Sequence, residues 1–226
     1  ASGATATENL FALALLANAP KKKIIALEGG FSGKTLPSLV GTAKKRFRDL
    51  FGPLYPHVVT VDPFDSQFEQ TLRGELQGDD VALVIVETIQ GDGGIRSCPQ
   101  AFFDFLNANK GRYGYLIAVD EVQTGIYKTG RFLNYEGRIE QPDLVAMAKA
   151  LSENVFPVAG TLVSDDVFER ARARNSEAVE LYANAHRCQF GAQVAKHAIE
   201  TGQQLGLADH ARELGEYFRG RLGELA

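Results

Sequence analysis

Short apolar runs recur along this chain, and most of them close on a glycine or an acidic residue. The run at 24–27 stops at Glu28-Gly29-Gly30, the run at 58–61 at Asp62-Pro63, and the strongly β-branched run at 81–86 at Glu87. The run at 116–119 ends in Asp120-Glu121, the run at 144–147 leads into Lys149, and a last one occupies 158–163. Continuous apolar runs of this kind read as strands buried on both faces rather than as half-exposed ones. The stretches between them have helical character. Residues 4–17 are rich in Ala and Leu and end before Ala19-Pro20; 66–75 is a second helical stretch. Residues 99–107 form an amphipathic one carrying Phe102, Phe103, Phe105 and Leu106. From about Asp165 the chain reads as mostly helical, most clearly at 192–204 and 207–222. Strands alternating with helices predict an α/β fold, a mainly parallel sheet sandwiched by helices, in one domain over residues 1–226.

In such sheets ligands bind beyond the carboxyl ends of the strands, so the polar residues that follow the apolar runs are the candidates for chemistry. Asp120, Glu87 and Lys149 each stand at such an end, Gln123 lies three residues past Asp120, and Gly29-Gly30-Phe31-Ser32-Gly33 follows the first run. Singly, each has an ordinary explanation: a carboxylate capping the next helix, a solvated lysine, a glycine turn. Together an acid and a lysine at one sheet edge, an aromatic loop and a glycine-led helix start suit an aldehyde cofactor that carries a phosphate. Ser2-Gly3-Ala4-Thr5 offers backbone N–H groups and the positive end of a helix dipole to the anion. The lysine can form a Schiff base, and the acid can keep a pyridine nitrogen protonated, which makes the ring an electron sink.

Composition narrows the classes. A formal net charge of −4 over 226 residues argues against nucleic acid or an anionic membrane as partner. Local clusters at Lys21–Lys23 and at 44–48 read as solvated surface. No stretch approaches the ~20 apolar residues of a membrane helix. Cys98 and Cys188 form no C-x-x-C pair, and His57, His186, His197 and His210 show no metal-ligand spacing, so no metal site is expected and a reducing, cytoplasmic location fits.

The chain resembles the class III, or ω-amino-acid type, pyridoxal-phosphate (PLP) dependent aminotransferases of fold type I. Ser2-Gly3-Ala4 and Glu28-Gly29-Gly30-Phe31-Ser32-Gly33-Lys34-Thr35 carry the resemblance, as do Val86-Glu87-Thr88-Ile89-Gln90-Gly91-Asp92-Gly93-Gly94 and Asp120-Glu121-Val122-Gln123-Thr124-Gly125 with the later Thr129-Gly130. Pro142-Asp143-Leu144 with Ala148-Lys149-Ala150-Leu151 completes the set, in the family's order. The resemblance implies that PLP is the cofactor and that Lys149 binds its aldehyde and shuttles the substrate proton. Asp120 would pair with the ring nitrogen, Gln123 would contact the ring oxygen, and Phe31 would stack on the ring. Ser2, Gly3 and Ala4 would grip the phosphate, with Ser32 and Glu87 close to the cofactor. It further implies amine and oxo substrates, a homodimer with sites at the subunit interface, and an N-terminal segment and C-terminal small domain flanking these residues in a longer protein.

The chain departs from the family pattern in places. Ser32-Gly33-Lys34 stands where the family has His-Gly-Arg, Asp92 where it has a glutamate, and Thr5 where Glu is frequent. The family's threonine that reaches a neighbouring subunit's phosphate has no recognisable counterpart; counting along the chain places Asn184 there, within Tyr182-Ala183-Asn184-Ala185-His186. Two other readings keep the same residues: a different PLP reaction (an aminomutase, racemase or decarboxylase) or a degenerate, non-catalytic assembly domain.

Overall fold

A computed structural model describes residues 2–153, 155–184 and 187–225. Six strands form one sheet in the order β2-β1-β3-β6-β7-β8. They are β1 (Lys23–Leu27), β2 (Val58–Val61), β3 (Val81–Val86), β6 (Leu116–Asp120), β7 (Leu144–Met147) and β8 (Gly160–Val163). All neighbours pair in parallel except β7 and β8, which are antiparallel. Two short strands, β4 (Ile89–Gln90) and β5 (Arg96–Ser97), make a separate antiparallel pair. The helices are α1 (Gly3–Ala17), α2 (Lys45–Arg48), α3 (Phe68–Leu76), α4 (Gln100–Tyr113), α5 (Asp165–Arg174), α6 (Ser176–Asn184), α7 (Gln189–Gln204) and α8 (Leu207–Gly223).

Each central strand sends alternate side chains to opposite faces. Ile24, Ala26, Leu83, Ile85, Ala118 and Ala146 pack against α1, α5 and α6 through Leu10, Phe11, Ala14, Val167 and Val179. Ile25, Leu27, Val84, Val86, Ile117 and Val119 face α3 and α4 through Leu72, Leu76, Phe102, Phe103 and Leu106. Burial on both faces is why these strands are continuous apolar runs in the sequence. A third cluster joins Val145 and Met147 to Ala195 of α7 and to Ile126 and Leu133.

The mainly parallel, helix-sandwiched sheet expected from the sequence is present, with local corrections. The last strand starts at Gly160 rather than 158 and runs antiparallel at the sheet edge, with Leu162 half exposed. The helix expected at 99–107 continues to Tyr113, where Gly114 closes it in the left-handed conformation (φ 64°). The basic clusters are partly paired rather than simply solvated: Lys21 with Asp79, Lys23 with Glu75 and Asp80, and Lys44 with Asp92. His57, His197 and His210 enter no metal-binding group among the described residues; His186 lies outside them.

Candidate functional site

Four parallel strands, β1, β3, β6 and β7, end on the same edge of the sheet, and the residues that follow them converge there. Two adjoining cavities, of about 460 and 370 Å³, open at that edge. Phe31, Asp120, Val122 and Lys149 line both. Ser2, Gly3, Ala4 and Ser32 line the first, and Glu87 and Gln123 the second. The sequence-derived candidates therefore meet, with one exception. Asn184 ends α6, exposed, and borders a separate depression with Asn175 and Glu177.

The first cavity is bounded by the start of α1. Ser2 caps this helix: its hydroxyl accepts the Thr5 N–H at 3.4 Å, while the Thr5 hydroxyl accepts the Ser2 N–H at 2.8 Å. Thr5 thus does the work that Glu performs in a usual capping box. The first N–H groups of the helix, those of Gly3 and Ala4, have no partner among the described residues. They present a dipole and two donors of the kind that suit an anion. Gly3 sits so close to Val122 that an added Cβ would lie 2.7 Å from Val122 Cγ1. Gly33 meets the same constraint: its φ is +132°, and a Cβ there would collide with Ser38 and lie 2.6 Å from Ala4 Cβ. The chain around Ser32 is fastened by its N–H to the Thr42 hydroxyl (3.0 Å) and by its carbonyl, which accepts the Thr7 hydroxyl (2.6 Å).

Asp120 closes β6 and is 5% exposed. One oxygen accepts the Val122 N–H at 2.9 Å. Burial pushes its pKa up, aided by nearby Glu121 and opposed by the Val122 N–H and the charge of Lys149. Such a carboxylate favours a cation beside it. Glu87, after β3, is also buried, and burial with the neighbouring Asp120 raises its pKa; the N–H groups of Phe31 and Gly91 oppose this.

Lys149 follows β7 by two residues, with backbone in the left-handed region (φ 48°). For a residue with a Cβ this conformation costs about 1–3 kcal/mol, a strain often found at functional positions. Its ammonium meets the Gln123 side-chain oxygen. Partial burial lowers its pKa, with Lys128 acting in the same direction and Asp120, Glu87 and Asp92 opposing. Phe31 stands between the cavities, its ring 6.3 Å from Phe47 in an edge contact, with Lys34 Nζ 6.0 Å from its centroid.

Two contributors carried no local signal that marked their role. Lys34 lies among the first cavity's lining residues and 5.0 Å above Phe47, without a carboxylate partner among the described residues. Thr129 lines the second cavity, and its hydroxyl is buried without a hydrogen-bond partner among the described residues. It belongs to the Thr129-Gly130 motif, but the motif does not say where the hydroxyl points. Asp92, at the rim of that cavity, pairs with Lys44 at 2.8 Å.

Solved structures share this arrangement of elements. Ornithine aminotransferase from Toxoplasma gondii superposes with a TM-score of 0.83 at 26% identity, over 98% of this chain and 52% of that one. An (S)-enantioselective omega-transaminase from Thermomicrobium roseum gives 0.86 at 25% identity, over 99% and 55%. An omega transaminase from Pseudomonas jessenii, solved in complex with PMP, gives 0.84 at 22%, over 99% and 55%, a likeness of fold. The chain spans about half the length of these proteins. Its sequence matches the family described as aminotransferase class-III across residues 1–226. The chain is a member of the class-III aminotransferases.

Proposed function

We propose that residues 1–226 are the PLP-binding large domain of an aminotransferase that moves an amino group from an amine or ω-amino acid to an aldehyde or oxo acid. The observation that carries this reading is the shared cavity edge at which a buried carboxylate, a lysine and open helix N–H groups converge. The residues present fit the cofactor. Asp120 favours a cationic partner, Gly3 and Ala4 offer unengaged donors to a phosphate, and Phe31 and Val122 supply apolar walls for a ring. When bound, PLP supplies an aldehyde that takes up the amino group and a protonated ring that accommodates the charge left by proton removal.

Each side chain then has a definable task. The Asp120 carboxylate holds the proton on the ring nitrogen. The start of α1 binds the phosphate, and Ser2 keeps that helix end in shape by capping it. Lys149 would hold the aldehyde through Nζ; once the incoming substrate amine displaces it, the freed Nζ would take the proton from the substrate carbon and return it, and its lowered pKa favours the neutral amine that this requires. Gln123 orients Nζ and would contact the ring's oxygen. Lys34, a cation without a carboxylate partner at the cavity, supports a substrate bearing a carboxylate. We further propose a homodimer, in which Asn184 contacts the neighbouring subunit's phosphate. The exposed Tyr217, Phe218 and Leu222 of α8, a helix with no buried residue, support an additional interface. A cytoplasmic location is supported by the free thiols Cys98 and Cys188. Among the described residues no helix is long and apolar enough to cross a membrane.

Adding PLP to the purified protein should produce a long-wavelength absorbance band that borohydride fixes onto Lys149, and an amine-donor scan should then identify substrates. The Lys149→Ala variant should lose the band and turnover. Borohydride labelling of a different lysine would defeat this assignment, because the chemistry tested is the covalent carbonyl–amine bond.

A further inference from the structure

Phe31, whose ring lines both cavities, sits in a loop, and its N–H has no strand partner. That N–H donates instead to Glu87 Oε1 at 2.8 Å. One side chain therefore ties the loop after β1 to the end of β3. Its own backbone carbonyl accepts the Cys98 thiol at 3.2 Å, which anchors the end of β3 from behind. Glu87 is 8% exposed, so removing its carboxylate would leave a half-buried Phe31 N–H without a partner. An unpaired donor in such a place favours rearrangement of the loop.

We propose that Glu87 is a positioning residue for the cofactor cavity: its carboxylate fastens the backbone of Phe31 and so holds the aromatic ring in the wall between the two cavities, and it acts through Phe31 rather than by direct contact with the cofactor. The proposal rests on the PLP reading only for its effect on binding. The fastening itself can be read without any cofactor. The neighbouring groups Asp120 and Lys149 face Glu87 from β6 and from the segment after β7, yet among the described residues its carboxylate accepts its hydrogen bond from the backbone N–H of Phe31.

The sequence contains no tryptophan, so Phe31→Trp introduces a single tryptophan at the position in question, whose emission is read under excitation that the tyrosines do not absorb. In cofactor-free protein, Glu87→Ala in the Phe31→Trp background should shift the emission to longer wavelength and lower its anisotropy. Glu87→Gln, whose side-chain oxygen still accepts the N–H, should leave both near the parent values. A second measurement uses PLP titration. Glu87→Ala should weaken PLP binding roughly tenfold or more, the scale of losing a hydrogen bond to a charged group. The same change should have little effect once Phe31→Ala is in place, because coupled residues are non-additive. Unchanged emission in Glu87→Ala, equal damage from Gln and Ala, or the same loss of PLP affinity in both Phe31 backgrounds would each overturn the proposal. If the parent protein does not bind PLP at all, the functional reading fails while the fluorescence result still decides the role of Glu87.

Discussion

Single side chains at this site are held in states that water would not favour. Asp120 and Glu87 are carboxyl groups whose pKa values burial raises above the ordinary value of about 4. The consequence for stability has a definite sign. As pH rises from about 4 toward neutrality, the unfolded chain releases these protons before the folded one does, so the folded state binds more protons and loses stability. Across that window each such group costs the cofactor-free fold up to about 1.4 kcal/mol per pH unit. We expect the denaturation midpoint of cofactor-free protein to fall over this range, and Asp120→Asn to flatten the fall. An Asp120→Asn profile as steep as the parent's would show that the slope arises elsewhere. The sequence marked Asp120, Glu87 and Lys149 because each follows an apolar run, and chain order alone puts such residues at one edge of a parallel sheet. Lys34 and Thr129 were not marked as site residues, since their places at the cavities depend on how loops 31–44 and 121–135 fold back. The path of the second loop is fastened by a longer-range hydrogen bond, from the Tyr135 N–H to the Glu121 carboxylate, rather than by local pattern.

Secondary-structure elements were legible where burial wrote them into the sequence. Residues 81–86 are buried throughout and formed β3 with the expected bounds. The second half of α4 was missed because Asn109, Lys110 and Arg112 show the solvent-facing side of a helix whose apolar anchors end at Leu106. The pair β4 and β5 was missed because two-residue strands have no periodicity to read. Between elements the tolerances are narrow. Gly33 has no room for a methyl group between Ser38 and Ala4, and its φ of +132° is unsuited to any other residue. Gly33→Ala should destabilise the protein by about 2–3 kcal/mol by overpacking and should weaken phosphate-bearing ligands, since Ala4 must move. Chemical denaturation together with a PLP titration measures both; an unchanged midpoint would contradict the crowding described here.

For the molecule as a whole, the site draws on residues 2–4, 31–32, 87, 120, 122–123 and 149, which only the finished sheet brings together. A ligand that binds there binds the folded chain and not the unfolded one. Saturation at a hundred times the dissociation constant should therefore add about 2.7 kcal/mol to stability. We expect the thermal midpoint to rise with PLP and to rise less with pyridoxal, which lacks the anion that α1 would receive. Equal shifts for the two compounds would argue that the start of α1 does not contact the phosphate.

The close approach of Gly3 to Val122 makes the start of α1 and the apolar cavity wall at Val122 a single mechanical part. A bulkier residue at position 3 would displace Val122, and with it the turn that carries Asp120 and Gln123, so the helix end that the proposed function gives to the phosphate cannot be retuned without disturbing the carboxylate it gives to the ring nitrogen. Freedom to adapt is left to Asp92 and Ile95 in the second cavity, away from the start of α1, and altered substrate preference should be sought there, because those positions can vary without displacing Gly3 or Val122.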